Sequence, residues 1–342
     1  MASHALRQRN FPLQRPGFRL LIIALNGCII YYSYFDPGFS VAGLPAENWT
    51  RTLKGLAAWA ARIILPACLF QPFSVLEGAP RLSLTDSVVV QGAIIRVDLS
   101  SAAALDTATG TFMKISLPFI RSGEGSFYTL AGVDLDARPG IYTLQVKALG
   151  PGGKSETAAL KVKVRDASFP RQKLTLPPAQ AFPDSAAQAR IEREDQLRNR
   201  SWSRWAPGVF WSGSFIAPIE GEMERFGSRR VINGVPRSPH TGVDISAEEG
   251  TPVLAPQAGT VLLTGDFFFT GNSIYLDHGL GLIGMFFHLS RIDVAAGQIV
   301  EKGQVIGAVG QTGRATGPHL HWGVRWRNTR INPQSLLELK LD

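Results

Sequence analysis

The stretch "PHLHWGV", residues 318–324, places two histidines one residue apart on a segment that alternates like a β-strand. Successive side chains of a strand point to opposite faces, so His319 and His321 share one face and the apolar residues share the other. The apolar face can then pack into a core while both imidazoles face a cleft. Two imidazoles in this arrangement suit one metal ligand and one catalytic partner.

The other histidines extend this prediction. Five of the six histidines of the chain fall between residues 240 and 321. "HTGVDI" holds His240 and Asp244 four positions apart, a spacing that brings both to one face of a strand or of a helix. His288 ends the apolar, strand-like residues 282–287 and can reach the edge of a cleft. His278, in "YLDHG", follows a strand at a turn and is interpreted as structural.

The residue types indicate the chemistry. Two histidines and one aspartate, with no cysteine from residue 69 onward, are a set typical of catalytic zinc. Such a zinc ion takes three protein ligands and keeps a fourth position for water, whose pKa it lowers to about 7. The remaining histidines can orient that water, move its proton or stabilise an oxyanion.

Glycine punctuation characterises the region around these histidines. "GTPVLAPQAGTVLLTG" (residues 250–265) and "GQIVEKGQVIGAVGQTG" (residues 297–313) are alike, each with short β-branched strands broken by glycine. They form a weak internal repeat and favour a β-domain over residues 207–342. Lipoyl and biotin carrier modules have a similar pattern and display a lysine, but no lysine lies between Lys173 and Lys302.

The composition predicts several domains and an anionic partner. The 342-residue chain is too long for one ordinary domain, and its 35 glycines and 22 prolines favour short strands and turns. A net charge of +8 suits nucleic acid, a membrane or a cell-wall polymer. The sequence shows no basic stripe interleaved with aromatic residues, no zinc finger and no helix-turn-helix, so we expect no nucleic-acid partner.

Two regions precede the histidine-rich domain. Residues 80–168 hold alternating segments separated by turns, without histidine or cysteine, and predict an immunoglobulin-like β-sandwich with a targeting, spacer or inhibitory role. Residues 169–206 begin proline-rich and continue with charges at helical spacing, which predicts an extended and helical linker. Ser185 and Gln188 have the spacing of a capping box at the start of that helix.

Residues 1–79 have the layout of an export signal. Four arginines and no acid precede the apolar residues 20–35, as in a signal peptide or a signal anchor whose basic end stays in the cytoplasm. A second apolar stretch, residues 56–70, is an alternative signal. Cys68 within it is interpreted as a packed apolar residue in preference to a lipidation site. Whether the signal is cleaved, retained or lipidated stays open.

Three motifs in this order resemble one known family. "HTGVD" from His240 to Asp244, "FFHLS" around His288 and "GPHLHWGV" around His321 look like the lysostaphin/LytM-type zinc metallopeptidases of bacterial cell walls, the duplicated hybrid motif peptidases. "FGSRR" and "GTPVLAPQAGTV" look like the same family. The resemblance covers about residues 215–335. It implies an antiparallel β-domain with a groove over the metal.

The resemblance implies a zinc metalloendopeptidase that hydrolyses peptide cross-links of peptidoglycan. It places one zinc ion on His240, Asp244 and His321, where it would activate a water. His288 and His319 would be the catalytic histidines that assist proton transfer and stabilise the oxyanion. The substrate partner would be the peptide stems of peptidoglycan. The location would be the periplasmic side of a bacterial cell envelope, with export or inner-membrane attachment through the N-terminal segment.

The whole chain is therefore predicted to be an all-β multidomain protein with an N-terminal membrane segment and a helical linker. The side chains expected to line the groove are Arg229, Arg230, Arg237 and Asn272, with Arg230 and Asn272 as substrate-binding residues. Family members often have Tyr where Phe286 or Phe287 stands. Some members have lost zinc ligands and regulate other wall hydrolases without catalysis. All ligand and catalytic positions are present here, which argues against that alternative.

Overall fold

The computed structural model describes residues 80–177 and 182–341, together with the backbone of Phe18–Leu25 and Cys28–Phe35. The chain divides into two compact units, Met1–Phe73 and Ser74–Asp342. The second unit holds all residues predicted to form the sandwich, the linker and the site.

The first unit contains the predicted export signal. Its strands β1 (Phe18–Leu25) and β2 (Cys28–Phe35) pair antiparallel. In the part of the chain that the structure describes, no helix has both the length and the apolar character to cross a membrane. The alternative signal, residues 56–70, and Cys68 lie outside the described residues. The export signal therefore stays a prediction.

The second unit consists mainly of short strands. The strands of its N-terminal region are β3 (Arg81–Leu84), β4 (Val88–Val90), β5 (Ile94–Ser100), β6 (Thr107–Phe112), β7 (Ile115–Pro118), β8 (Ile120–Gly123), β9 (Ser126–Gly132), β10 (Gly140–Leu149) and β11 (Ser155–Arg165). The linker and the C-terminal region hold β12 (Arg171–Leu174), α1 (Ser185–Trp202), β13 (Arg229–Ile232), β14 (Val235–Pro236), β15 (Gly242–Ser246), β16 (Pro252–Leu254), β17 (Gly259–Phe267), β18 (Gly271–Asp277), β19 (Leu282–Leu289), β20 (Arg291–Ile292), β21 (Ile299–Val300), β22 (Val305–Ala308), β23 (His319–Trp326), β24 (Thr329–Ile331) and α2 (Pro333–Leu337).

The N-terminal strands form two sheets, ordered β4-β11-β10-β6-β7 and β3-β5-β9-β8. In β10, Leu144, Val146 and Ala148 are buried while Ile141 is exposed, as the alternation of this segment predicts. Buried residues of both sheets join one core, for example Val97 and Leu144. The two sheets agree with a β-sandwich, and the immunoglobulin-like assignment stays a prediction.

The linker contains the predicted helix, whose cap lies one residue before the predicted cap, and also a short strand that the sequence did not predict. β12 lies parallel to β13, and Glu194 of α1 accepts a hydrogen bond from the backbone N of Phe268 at 2.9 Å. Asp184 is the N-cap, because its Oδ1 accepts from the backbone N of Ala187 at 2.8 Å. The predicted capping box led by Ser185 is therefore wrong, since a carboxylate one residue earlier already satisfies the exposed amide of the first turn.

The C-terminal region is an antiparallel β-domain, as the resemblance implies. Its main sheet runs β15-β23-β19-β18-β17-β21 with β24 beside β23, and a second sheet runs β16-β22-β20. The two Gly-rich segments pair with each other, β16 with β22 and β17 with β21. Leu320, Trp322 and Val324 of β23 are almost wholly buried. The alternation predicted for this strand is confirmed, and its other face carries both histidines.

Ion pairs join the sandwich to the C-terminal β-domain. Asp134 accepts hydrogen bonds from the backbone N (2.9 Å) and Nε (3.0 Å) of Arg330. Asp136 accepts from Nη2 of Arg330 (2.9 Å) and Nη1 of Arg229 (2.5 Å). Burial by itself raises the pKa of Asp134, but the hydrogen bonds from Arg330 outweigh burial and lower it. Both regions also contribute to one hydrophobic core.

Removing the Arg330 guanidinium is expected to weaken this contact. Arg330→Gln leaves the partly buried Asp134 without its charged partner, so we expect the free energy of unfolding to fall by about 2 kcal/mol. Chemical denaturation measures this change. The control is Arg291→Gln, because Arg291 pairs with Asp293 at the surface with its side chain 63% exposed. That substitution should cost less than about 0.5 kcal/mol. If Arg330→Gln and Arg291→Gln lower the free energy of unfolding equally, the contact between Arg330 and Asp134 adds no stability beyond that of an exposed ion pair.

Candidate active site

Two neighbouring strands bring the predicted ligands together. β15 runs antiparallel to β23, and the register places Asp244 opposite His321 and Ser246 opposite His319. His240 lies in the loop just before β15. His240, Asp244 and His321 are all buried, each less than a tenth exposed. The pairing of these two strands therefore fixes the His321 imidazole beside the Asp244 carboxylate.

The three side chains converge on one point. His240 Nε2 lies 3.0 Å from Asp244 Oδ1 and 2.8 Å from His321 Nδ1. His321 Nδ1 lies 3.0 Å from the same Asp244 oxygen. Within the described ranges, this is the one group of three or more His, Cys, Asp or Glu side chains with ligand atoms all within 4.8 Å of one another. Zinc lies about 2.0–2.2 Å from nitrogen and oxygen ligands, so one ion can touch all three atoms.

Hydrogen bonds and burial prepare these groups to bind a cation. The Nδ1 atom of His240 donates to the carbonyl of Arg225 at 2.9 Å. Because a carbonyl only accepts, Nδ1 of His240 carries a proton, and Nε2 is the ring nitrogen that can bind a metal ion. Burial lowers the pKa of His321 to about 3, so this imidazole is neutral at neutral pH. Burial raises the pKa of Asp244, but hydrogen bonds with His240 and His321 hold it well below its usual range. Metal binding requires these protonation states.

Two further imidazoles stand beside this group. The Nδ1 atoms of His288 and His319 donate to the carbonyl oxygens of Thr312 and Gly317, both at 2.8 Å. Nδ1 of each ring is therefore bonded to a carbonyl, and Nε2 is the nitrogen that can exchange a proton with a substrate. His319 Nε2 lies 3.8 Å from Asp244 Oδ1, and the rings of His288 and His319 lie 4.8 Å apart. Burial lowers the pKa of His288 to about 4, so this imidazole is neutral at neutral pH.

A close contact between two turns holds His288 in place. His288 has a φ of +64°, which few residues other than glycine adopt. Its backbone N donates to Thr270 O at 2.9 Å, and Thr312 Oγ1 donates to the carbonyl of Leu289 at 2.8 Å. The turns approach closely because Gly271 has no side chain, and a Cβ there would collide with Thr312. The strained conformation coincides with a candidate catalytic residue.

Two neighbours shape the position of His321. Its ring stacks on Phe287 with centroids 5.2 Å apart and planes 4° apart. Phe287 lies opposite His321 in the register of β19 and β23. On β15, a Cβ at Gly242 would lie 2.6 Å from His321 Nε2 and 2.5 Å from the carbonyl of Trp322. Glycine at this position leaves the room that the His321 ring occupies.

Two adjacent arginines predicted for the groove face different ways. Arg230 Nη2 lies 3.9 Å from Asp244 Oδ2, so this side chain is near the ligand group. Arg229 instead bonds to Asp136 of the sandwich, because neighbouring residues of a strand point to opposite faces. The expectation that Arg229 lines the groove is therefore wrong.

Asn272 supports the site through its neighbours. Its Nδ2 donates to the carbonyl of Leu289 at 3.1 Å, and its backbone N donates to Thr312 Oγ1 at 2.9 Å. Both contacts brace the turns that hold His288. Contacts of Asn272 and Arg230 with a substrate stay predictions.

Sequence reasoning did not single out Arg225, Thr312 or Arg314, which lie in the site or next to it along the chain. Arg225 Nη1 lies 3.5 Å from Asp244 Oδ2. Thr312 and Arg314 belong to the Gly-rich "GQTGRATG" directly before the two histidines of β23. A Gly-rich loop beside a candidate catalytic strand is a signal that could have directed attention to them.

His278 lies apart from the ligand group and is structural, as interpreted from the sequence. It is 1% exposed, and its Nδ1 donates to the carbonyl of Ala258 at 2.8 Å. Its ring meets Phe215 edge-on at 5.2 Å. Burial lowers the pKa of His278 to about 4.

The buried His278 is expected to make stability depend on pH. Its folded pKa of about 4 lies below the unfolded value of about 6.5, so only the unfolded state takes up a proton between these values. The contribution of His278 to the free energy of unfolding is therefore fully present above about pH 6.5. It falls by on the order of 3 kcal/mol as the pH is lowered to about 4. His278→Gln removes this component, so the stability difference from wild type should shrink as pH falls. Denaturation at several pH values measures it, and a constant difference would contradict the assignment.

The donor set can hold a metal ion, and comparison with known families shows what this part of the chain resembles. Residues 238–333 match peptidase family M23. The matched range contains all residues predicted as ligands or catalytic groups, namely His240, Asp244, His288, His319 and His321. This part of the chain is therefore similar to the peptidases of family M23.

Known proteins resemble the same part of the chain. The DD-carboxypeptidase/endopeptidase Mpg of Neisseria meningitidis serogroup B is 42% identical over 97 residues, which cover 28% of this chain and 22% of that protein. The peptidoglycan DD-endopeptidase ShyA of Vibrio cholerae is 41% identical over 95 residues, with coverage of 28% and 22%. The match thus spans about a fifth of the length of these relatives.

One solved structure resembles more of the chain. The crystal structure of a protein described as a peptidase M23 from Pseudomonas aeruginosa is 29% identical, with a TM-score of 0.55. The similarity covers 72% of this chain and 94% of that chain. It therefore extends beyond the residues that match the M23 family.

Proposed function

We propose that this chain is a zinc metalloendopeptidase that hydrolyses peptide cross-links of bacterial peptidoglycan. The observation that carries the proposal is the convergence of His240, Asp244 and His321 on one point, with His288 and His319 beside it. The names of two relatives include peptidoglycan DD-endopeptidase and DD-carboxypeptidase/endopeptidase, which supports a peptidoglycan peptide as the substrate.

The residues around the ligand group account for the proton transfers. When bound, zinc polarises a carbonyl and lowers the pKa of water. Nε2 of His288 or His319 accepts a proton from the attacking water as the water oxygen bonds to the scissile carbonyl carbon. The protonated imidazole then gives this proton to the leaving nitrogen as the C–N bond breaks. The other imidazole, when it carries a proton on Nε2, stabilises the negative charge that develops on the carbonyl oxygen.

The substrate also suggests a location and a division of the chain. A peptidoglycan hydrolase works outside the cytoplasm. We therefore propose that the protein works in the periplasm and that residues 1–79 export it or attach it to the inner membrane. The net charge of +8 suits an anionic wall polymer. Behind this segment we propose an immunoglobulin-like sandwich (residues 80–168), a linker (residues 169–206) and the peptidase domain (residues 207–342).

Digestion of purified peptidoglycan tests this function. The zinc-loaded full chain is incubated with sacculi, and mass spectrometry identifies the released fragments. We expect fragments cut within the cross-linking peptides, and no cuts within the glycan strands. If sacculi are bound but not cut although zinc is present, the chain is a wall-binding regulator instead.

A further inference from the structure

The linker helix α1 binds the turn that joins β17 to β18, residues 268–270. Both carboxylate oxygens of Glu194 accept a hydrogen bond from the backbone N of Phe268, at 2.9 Å and 3.1 Å. Arg190, one helical turn earlier, donates from Nε to Glu194 at 2.6 Å and from Nη2 to the carbonyl of Asp266 at 3.0 Å. The Glu194 side chain is 12% exposed. A carboxylate that accepts a backbone amide makes a charge-assisted bond, which is stronger than one between neutral groups.

The same turn contacts His288 in two ways. The carbonyl of Thr270 accepts from the backbone N of His288 at 2.9 Å, at the residue whose φ is +64°. The carbonyl of Phe269 accepts from the backbone N of Arg314 at 2.9 Å. Two residues before Arg314, the carbonyl of Thr312 accepts from His288 Nδ1 at 2.8 Å. The turn therefore supports both the backbone of His288 and the segment that orients its ring.

The far end of α1 is also packed against the C-terminal β-domain. Trp202 packs against an apolar cluster that contains Phe287, and the guanidinium of Arg325 lies 4.2 Å from the centre of a Trp202 ring. Phe287 in turn stacks on His321. Because both ends of the helix contact the β-domain, α1 presents the Glu194 carboxylate to the turn at a fixed position.

We propose that Glu194 is a positioning residue for the hydrolysis. Through the turn it holds the His288 imidazole where this group exchanges a proton with the substrate. Proton transfer requires close alignment of the reacting atoms, so a small displacement of the imidazole lowers the rate steeply. This inference rests on the proposed function. It makes the linker helix, which lies outside the residues 238–333 that match family M23, a part of the catalytic unit.

Replacing the Glu194 carboxylate tests this role. Glu194→Ala removes the acceptor of the Phe268 amide and keeps α1, since alanine is the best helix former. For the zinc-loaded full chain on a soluble cross-linked stem-peptide dimer, we expect kcat to fall about 10- to 100-fold. KM and zinc content should stay close to wild type. Glu194→Gln keeps an acceptor oxygen and should restore kcat to within about threefold of wild type.

The control is Glu192→Ala on the same helix. Glu192 is exposed, and two residues of a helix with 3.6 residues per turn lie on nearly opposite faces. This variant removes the same charge from α1 without touching the turn, so its kcat should equal that of wild type. A loss as large as that of Glu194→Ala would assign the effect to the charge of the helix and overturn the proposal.

A double variant distinguishes positioning of His288 from a general loosening of the domain. If Glu194 acts through His288, Glu194→Ala lowers kcat in the wild-type background and changes it little in the His288→Asn background, because the effects of coupled residues do not add. Equal losses in both backgrounds overturn the proposal. If Glu194→Ala does not fold, Arg190→Gln makes the same comparison, since it removes the hydrogen bonds to Glu194 and Asp266.

Hydrogen exchange at the His288 backbone amide gives a readout that needs no turnover. This amide is bonded to the carbonyl of Thr270, so its exchange reports how often the turn opens. In the zinc-loaded full chain, we expect Glu194→Ala to accelerate this exchange about tenfold and Glu192→Ala to leave it unchanged. Unchanged exchange in Glu194→Ala overturns the proposal even if peptides are cut. If the chain cuts nothing, the proposed function fails, and the exchange rates still decide whether Glu194 holds the turn at His288.

Discussion

Replacing His321 with alanine is expected to abolish both zinc binding and hydrolysis. Nδ1 of His321 lies 2.8 Å from His240 Nε2 and 3.0 Å from Asp244 Oδ1, so its loss removes one of three converging ligand atoms. Polarisation by a metal contributes several kcal/mol to the barrier, and we therefore expect activity to fall by at least about 10³-fold. Metal analysis of the purified protein should show far less than one zinc ion per chain.

The control for this experiment is His319→Ala. His319 lies on the same face of β23, but its Nε2 is 3.8 Å from Asp244 Oδ1 and it is outside the ligand group. This variant should lose activity and keep its zinc. Added zinc should raise the melting temperature of wild type and His319→Ala, because a ligand that binds only the folded state stabilises it. It should not do so for His321→Ala. Full zinc occupancy in His321→Ala would falsify the ligand assignment.

Sequence periodicity predicted the face of β23 that carries the histidines, and the resemblance to the peptidase family implied the ligand set. A period of two in a strand puts His319 and His321 on one face, and the pairing of β15 with β23 places Asp244 there as well. The apolar partners of these residues, such as Leu320 and Trp322, are wholly buried. One buried face therefore determines where the histidines of the other face point, whereas the pairing that brings Asp244 beside His321 joins positions 77 apart in the chain.

The features that were not predicted from the sequence depend on tertiary contacts or on which residue of a short strand faces the site. β13 has four residues, too few for an alternation that would tell Arg229 from Arg230. Asp134 bonds to Arg330 across 196 positions of the chain, which no local pattern indicates. The carbonyl of Thr312 orients His288 although a backbone group carries no sequence signature. Contacts such as that of Arg230 with Asp244 arise only when separate elements of the chain meet.

The His288 backbone suggests a substitution that removes the imidazole with little change in the fold. Its φ of +64° lies in the left-handed region, which asparagine tolerates better than most residues. An asparagine amide can also donate a hydrogen bond, as His288 Nδ1 does to Thr312 O. His288→Asn is therefore preferable to His288→Val, which would combine the loss of the imidazole with a strained β-branched residue.

His288→Asn is expected to lower kcat by about 10²- to 10⁴-fold, since general acid–base catalysis contributes that much. KM, zinc content and melting temperature should stay close to wild type, because His288 is outside the ligand group. Steady-state kinetics on a cross-linked peptide and metal analysis measure these quantities. A role limited to packing predicts the opposite pattern, with a lower melting temperature and kcat within tenfold of wild type (about 1.4 kcal/mol in the barrier). Because Nδ1 of His319 is also bonded to a backbone carbonyl, which leaves Nε2 for proton exchange, the residual rate of His288→Asn measures how much of the proton transfer His319 performs alone. If the double variant that combines His288→Asn with His319→Ala is no slower than His288→Asn, the proton transfer is assigned to His288.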